Sequence, residues 1–410
     1  MKPARVPPFS TARRSQPAWL RATNSVGRLF PKVAAPSASE WWEKAQSSES
    51  DPVDPTPEAR EALDVLVDSI CSDMKLSLVG RISARDDTIR MARTHLRIRR
   101  ALRSHPEIED LELPAPVFIL GWPRTGTTAL HQILARDPSS RTIPYWESFD
   151  PVPPRSGPDR RVERLDRMLR QLSWMAPSYD AIHPMTPEMP EECVALFMNE
   201  LRTLQYDFQY RVPTYVDWLL RQDPAIAYRG YRNQLRLVHF HREKGERFVL
   251  KDPTHLVHLE TILDLFPMAK FIFTHRDPAS AISSLCSLHA YTRALFTDHV
   301  DPEQLGQEIM AGHWPRAQDH ALSLRGRIRA GHSVEVRHPD LVRDPLGTIE
   351  RVYDGLDLDL SSAARDAMRS YVEAQQQEPR TVHEHRPEGF GLTREIIRDR
   401  FREYCTRFDV

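Results

Sequence analysis

The chain has 410 residues, 40% of them hydrophobic, and a formal net charge of −1. That length suggests one large domain with an appended subdomain, or two domains, and the balanced charge gives no whole-protein case for nucleic acid as a partner. No stretch approaches 18 consecutive apolar residues, so no segment reads as a membrane-spanning helix. Four scattered cysteines (Cys71, Cys193, Cys286, Cys405) have no CxxC or metal spacing. They are expected to be reduced thiols of a cytoplasmic protein.

Residues 1–55 are rich in Pro and Ser, and the first 39 contain no Asp or Glu while carrying Lys2, Arg5, Arg13, Arg14, Arg21, Arg28 and Lys32. The reading is a loosely ordered basic arm able to touch anionic lipid peripherally. From Pro57 to about Ser104 the spacing of Leu63, Leu66, Ile70 and Met74 predicts amphipathic helix, a leader (56–110) packed on the core. The run "PVFIL" then reads as a strand covered on both faces, the pattern of a parallel sheet. A loop, "GWPRTGT", and a helix from Thr128 to about Arg136 come next. The block 159–241 reads as helices broken by prolines, an insertion suited to shaping an acceptor pocket. In it Tyr215, Trp218 and Tyr228 are candidates for an aromatic lining. "RFVLK", the helix around Leu256–Phe266 and "AKFIFTHR" form a strand–helix–strand unit, which predicts a right-handed crossover and a parallel neighbour. "SVEVRH" is a further strand, and "TREIIRDRFREY" a closing helix. The fold class is α/β: a P-loop-like three-layer fold with a central parallel sheet flanked by helices, spanning 111–410, behind a helical leader.

The loop carries the chemistry. In the phosphate-binding pattern GxxxxGK[ST], Gly121, Gly126 and Thr128 match, but Thr127 stands where the lysine belongs. That lysine reaches the β/γ-phosphates of a nucleoside triphosphate, so its loss removes the main cation of γ-phosphoryl transfer. The backbone N–H groups and helix N-terminus still suit an anion, and Arg124 moves the positive charge to mid-loop. A nucleotide held at its 5′ end, with no γ-phosphate, fits these residues. The alternative is a P-loop kinase or NTPase with a degenerate loop. It lacks a convincing second aspartate for Mg²⁺, Asp252 being the nearest.

"PRTGTT" resembles the 5′-phosphosulfate loop of sulfotransferases that use 3′-phosphoadenosine-5′-phosphosulfate (PAPS), most closely a bacterial branch related to the tyrosylprotein enzymes. The resemblance extends to "THRDPASAISSL", where Arg276 and, eight residues on, Ser284 occupy the places that grip the 3′-phosphate. It extends also to "LKDP", where Lys251 takes the place of a catalytic lysine, and runs as an ordered set of motifs from about 114 to 400. It implies cofactor contacts from Arg124, Thr125, Gly126, Thr127 and Thr128, with His338 standing where the family has a nucleotide-contacting tyrosine. Arg386, in "HRPEGFGLTRE", is implied as a further phosphate ligand. The family's additional arginine, twelve residues past Arg276, is replaced by Leu288; Arg293 lies nearby out of register.

The implied reaction is transfer of a sulfuryl group from PAPS to a hydroxyl by in-line displacement, without a metal. Arg124 and Lys251 are the expected charge stabilisers. Glu147 is the expected general base, with His255 as the second choice. A small-molecule, lipid or glycan hydroxyl remains open as acceptor.

Overall fold

The computed structural model describes residues 5–6, 9, 17–47, 51, 53–242, 245–377 and 382–410. Its centre is a five-stranded, all-parallel sheet: β1 (Val117–Leu120), β2 (Ser140–Arg141), β3 (Arg247–Lys251), β4 (Lys270–His275) and β5 (Ser333–Arg337), in the order β2-β3-β1-β4-β5. All four residues of β1 are buried, as expected of the middle strand of a sheet covered on both sides. The strand–helix–strand unit is present, but β3 and β4 are not neighbours. β1 lies between them, with Val117 in register with both Val249 and Lys270. The crossover therefore skips a strand, and the loop after β1 leaves the sheet flanked by the ends of β3 and β4. Strand ends and helix starts meet at that edge, where ligands of open α/β sheets bind.

The leader is helical as expected: α3 (Pro57–Asp73) is capped by Thr56, and α4 (Leu78–Ser104) by Ser77. The expectation of a loosely ordered arm fails for residues 17–47, which contain α1 (Ala18–Gly27) and α2 (Ala38–Ser47). The reason is Trp41, Trp42 and Ala45, which are fully buried on the face α2 turns to the leader. Lys2, Arg13 and Arg14 lie outside the described residues.

Leader and helical insertion share one core, in which Trp41, Leu66 and Met91 pack with Tyr206, Tyr210 and Tyr215. The junction is also polar. Tyr215 N–H donates to Ser69 Oγ (3.1 Å), and the Tyr215 hydroxyl donates to the Leu201 carbonyl (2.8 Å). The leader is thus one wall of the space above the sheet. No helix of the described residues is long and apolar enough to cross a membrane.

Candidate active site

The loop after β1 is folded by its own side chains. Thr125 Oγ1 donates to the Trp122 carbonyl (2.7 Å) and lies 2.6 Å from Thr274 Oγ1 on β4, so this hydroxyl braces the loop. Gly126 adopts φ 96°, and a Cβ there would lie 3.2 Å from both His338 and Leu341 side-chain carbons. A side chain at this position would meet both strain and crowding. Helix α5 (Thr127–Leu134) starts immediately after it.

Arg124 is itself in the left-handed region at φ 71°. Its Nε donates to Ser284 Oγ (3.2 Å), while Arg276 Nη1 donates to the Arg124 carbonyl (2.6 Å). The two halves of the expected nucleotide site, 160 residues apart at Arg124 and Ser284, are therefore in contact. Burial, then the Arg276 guanidinium, pulls Arg124 below its ordinary pKa. Among the described residues neither guanidinium has a carboxylate in ion-pair contact. Asp277, the closest acid to Arg276, caps α8 (Pro278–Arg293) and is held by Arg394 (2.9 Å) and Arg398 (2.6 Å). Two half-buried cations without a counter-charge describe an anion site.

Lys251 ends β3 with its side chain almost wholly buried. Its ammonium donates to Glu192 Oε1 (2.5 Å) and to Thr128 Oγ1 (3.3 Å), the first threonine after Thr127 in α5. Thr127 is buried and Thr128 exposed, and both line the same cavity as Arg124, Arg276 and His338. Burial, then the charges of Arg276 and Arg124, lowers His338 to about 4, so its imidazole is neutral beside the two arginines.

The expected base residues do not reach this cavity. Glu147 lies on α6 (Tyr145–Phe149), is 3% exposed, and accepts a 2.8 Å bond from Arg141 of β2. It is one half of a buried ion pair that fastens the sheet edge. His255 is packed among Phe118, Phe197 and Tyr231, with Nδ1 2.8 Å from the Tyr228 hydroxyl, and burial lowers it to about 3. Arg386 is exposed and is not among the residues that line the cavity. Its neighbour His385 is the one that approaches, at 2.8 Å from Ser283 Oγ, and it is lowered to about 4 by burial and then by Arg276 and Arg124.

Two adjacent acids missed in the sequence stand where Glu147 was expected. Glu191 and Glu192 both line the cavity, brought there by the insertion through the Glu191 N–H bond to the Ile143 carbonyl (3.0 Å) and the Cys193 N–H bond to the Lys251 carbonyl (2.9 Å). Their environments differ. Lys251 holds Glu192 below the ordinary carboxylate range against the cost of burial, whereas burial raises Glu191. Glu191 Oε1 accepts from Glu192 N–H (3.0 Å), and its Oε2 is buried without a hydrogen-bond partner. The available signal was "MPEEC": paired acids after a proline, entering an apolar run.

The cavity above these residues has a volume of about 890 Å³. Its upper walls are Trp19 of α1, Ile82 of α4, Phe149, Met168 and Trp174 of α7 (Arg161–Met175), and Phe208. Leu288, in place of the family's arginine, is part of the lining, while Arg293 is occupied by Asp207 (3.1 Å) and Glu308 (3.2 Å). The aromatic lining expected from Tyr215 and Tyr228 is not found: both are fully buried core residues, the first bonded to Leu201 and the second to His255. Asp252 also lines the cavity, and its Oδ2 is buried without a hydrogen-bond partner. It caps the turn Pro253–Leu256 through Thr254 (2.8 Å), and burial and Glu192 raise it to about 7.

The pattern of the Sulfotransferase family matches residues 116–362, more than half of the chain. The chain belongs to the sulfotransferase family. The omega-hydroxy-beta-dihydromenaquinone-9 sulfotransferases Stf3 of Mycobacterium bovis and Mycobacterium tuberculosis are each 29% identical over 273 residues. The match spans 63% of this chain and 66% of theirs, just under two thirds of those relatives' length. Two crystal structures share the fold. Sulfotransferase STF1 from Mycobacterium tuberculosis has a TM-score of 0.78 at 29% identity, covering 90% of this chain and 99% of its own. Sulfotransferase STF9 from Mycobacterium avium has a TM-score of 0.82 at 26% identity, covering 92% and 97%. The fold expectation and the family resemblance both hold.

Proposed function

We propose that this sulfotransferase transfers the sulfuryl group of PAPS to a hydroxyl on a largely apolar, lipid-like acceptor. One observation carries the reading: two unneutralised arginines and a phosphate loop form the floor of a cavity whose walls are mostly aromatic and aliphatic. The residues fit the donor. Arg124, Gly126, Thr127 and Thr128 offer a helix N-terminus, hydroxyls and a cation to a 5′-phosphosulfate, while Arg276 and Ser284 offer charge and a hydroxyl to a 3′-phosphate. His338, neutral beside them, offers a flat ring to the nucleotide. PAPS, when bound, supplies an activated sulfuryl group whose in-line displacement frees a phosphate oxygen.

The remaining work falls to the protein. Lys251 backs Thr128 from within the sheet edge and adds positive potential where negative charge grows on departure. Glu192 holds that ammonium in place. Glu191, raised by burial and with Oε2 unpartnered, is the general base that takes the acceptor's proton. The apolar walls keep water from competing with the acceptor hydroxyl. The Stf3 relatives act on an omega-hydroxy dihydromenaquinone, which supports a hydroxyl borne on an apolar molecule here too.

The test is a mass-spectrometric screen with PAPS and a mixed set of hydroxyl acceptors: long-chain and isoprenoid alcohols, phenols and sugars. A gain of one sulfo group on apolar alcohols is expected. Sulfation of sugars alone, or of nothing, overturns the proposal.

A further inference from the structure

The exposed apolar surface is unevenly distributed. Of ten large hydrophobic side chains that stand exposed among the described residues, five fall between residues 19 and 33: Trp19, Val26, Leu29, Phe30 and Val33. A sixth, Trp174, is 62% exposed and stacks on Trp19 with ring centroids 4.3 Å apart and planes 13° from parallel. Both tryptophans line the cavity, so the apolar patch and the cavity mouth are continuous.

The backbone beneath the patch is tied down. From α4, Arg81 donates through Nε to the Val33 carbonyl (2.9 Å) and through Nη2 to the carbonyls of Phe30 (3.0 Å) and Gly27 (3.4 Å). One guanidinium thus satisfies three carbonyls of the turn after α1. Leu29, 76% exposed, and Phe30, 53% exposed, are held outward on a fixed frame. This suits an apolar medium, where an unsatisfied carbonyl is costly.

We propose that the segment 26–33, with the Trp19–Trp174 pair, docks the enzyme on an anionic lipid bilayer so that an apolar acceptor passes from the membrane into the cavity. The charge selects this occupant. No acid occurs before Glu40, and Arg21, Arg28 and Lys32 are interleaved with the apolar residues. Of these, Arg28 is paired with Asp298 (3.0 Å) and remains largely exposed. A self-complementary dimer across this face would bring the net positive charge of two copies together, whereas an anionic headgroup layer complements the positive charge that remains after the Arg28–Asp298 pair is counted. Tryptophans at the rim match the preference of that side chain for the membrane–water boundary. The docking rests on the apolar-acceptor reading and deepens it, and its test does not depend on turnover.

The 410-residue chain is sedimented with vesicles of phosphatidylcholine alone and with vesicles enriched in phosphatidylglycerol. The wild type is expected to co-sediment with the anionic vesicles. The Leu29→Glu/Phe30→Glu variant is expected to lose roughly tenfold or more in bound fraction. The Val342→Glu variant, which alters an equally exposed side chain elsewhere, is expected to bind as wild type. Unchanged melting temperatures, with and without 3′-phosphoadenosine 5′-phosphate (PAP), show that the fold and nucleotide site are intact. Wild type that stays in solution, or a Leu29/Phe30 variant that still binds, overturns the proposal. So does light scattering that shows a dimer which this variant dissociates, since that assigns the face to a second copy.

Discussion

The two ends of the cavity are built on different plans. Its floor is a local device: Pro123, Arg124, Gly126, Thr127 and Thr128 of one loop with Arg276, backed by the strand-ending Lys251 and by Ser284, all fixed by the parallel sheet. Its walls come from α1, α4, α6, α7, Phe208 and Leu288, which are far apart in the chain and meet only through packing. The floor is polar and over-determined by hydrogen bonds such as Arg276 to the Arg124 carbonyl, whereas the walls are mostly apolar, with Asp86, Asp87 and Arg90 of α4 as their charged part. The floor is therefore constrained, and the walls are the part free to vary.

The sharpest way to break this division is at Glu191, where floor and walls meet. Glu191→Gln is expected to lower kcat by about 10²–10⁴-fold, the range for losing a general base, while PAP affinity stays near wild type. Activity in the wild type should fall as pH drops through the raised pKa of this carboxyl, and the acidic limb should vanish in the variant. A kcat that survives the change removes Glu191 from the mechanism.

Glu147 is expected to behave in the opposite way. Glu147→Ala leaves the buried Arg141 guanidinium without its partner, which costs about 3–5 kcal/mol of stability, read as a lower denaturant midpoint. Whatever remains folded should keep its kcat. A large loss of kcat at unchanged stability would restore Glu147 as the base.

On the donor side, Arg276→Ala is expected to weaken PAP binding by about 10–100-fold, the worth of a charge-assisted hydrogen bond. Acceptor KM should move little.

Acid stability gives a smaller effect with a definite sign. Burial lowers His131 and His255 to about 3, and His95 and His258 to about 4. Below a pKa of about 6.5 the unfolded chain protonates these imidazoles while the folded chain keeps them neutral, so their contribution to stability is constant above that pH and is lost as pH drops toward 4. His255→Phe should reduce the slope by up to about 1.4 kcal/mol per pH unit, measured as urea midpoints. The mildest change is Leu288→Trp, which narrows the cavity. It should raise acceptor KM by a few fold while PAP affinity is untouched.

Legibility in the sequence splits along the same divide. β1, β3, β4 and β5 were readable because strands buried on both faces are unbroken apolar runs, and the loop because its glycines and hydroxyls are spaced by backbone geometry. Strand order was not, since nothing in "RFVLK" or "AKFIFTHR" records that β1 slips between them. β2, two residues long, has no pattern to read. Glu191 was hidden because it reaches the cavity through an insertion, 67 residues beyond Arg124, with no motif to mark it. Glu147 attracted attention by position alone, and burial with Arg141 outweighed position. Tyr215 and Tyr228 show the same limit: an aromatic in a helix fills core unless the packing leaves it a cavity to face.

A floor that takes a nucleotide carrying a 3′-phosphate and no γ-phosphate, as proposed, must discriminate between the two phosphates in solution. Calorimetric titration of the wild type and of Arg276→Ala with PAP, and separately with ATP and Mg²⁺, tests it most directly. One PAP site per chain is expected, weakened in the variant, with markedly poorer binding of ATP. Binding of ATP as tight as that of PAP, or PAP affinity indifferent to the loss of Arg276, would contradict it.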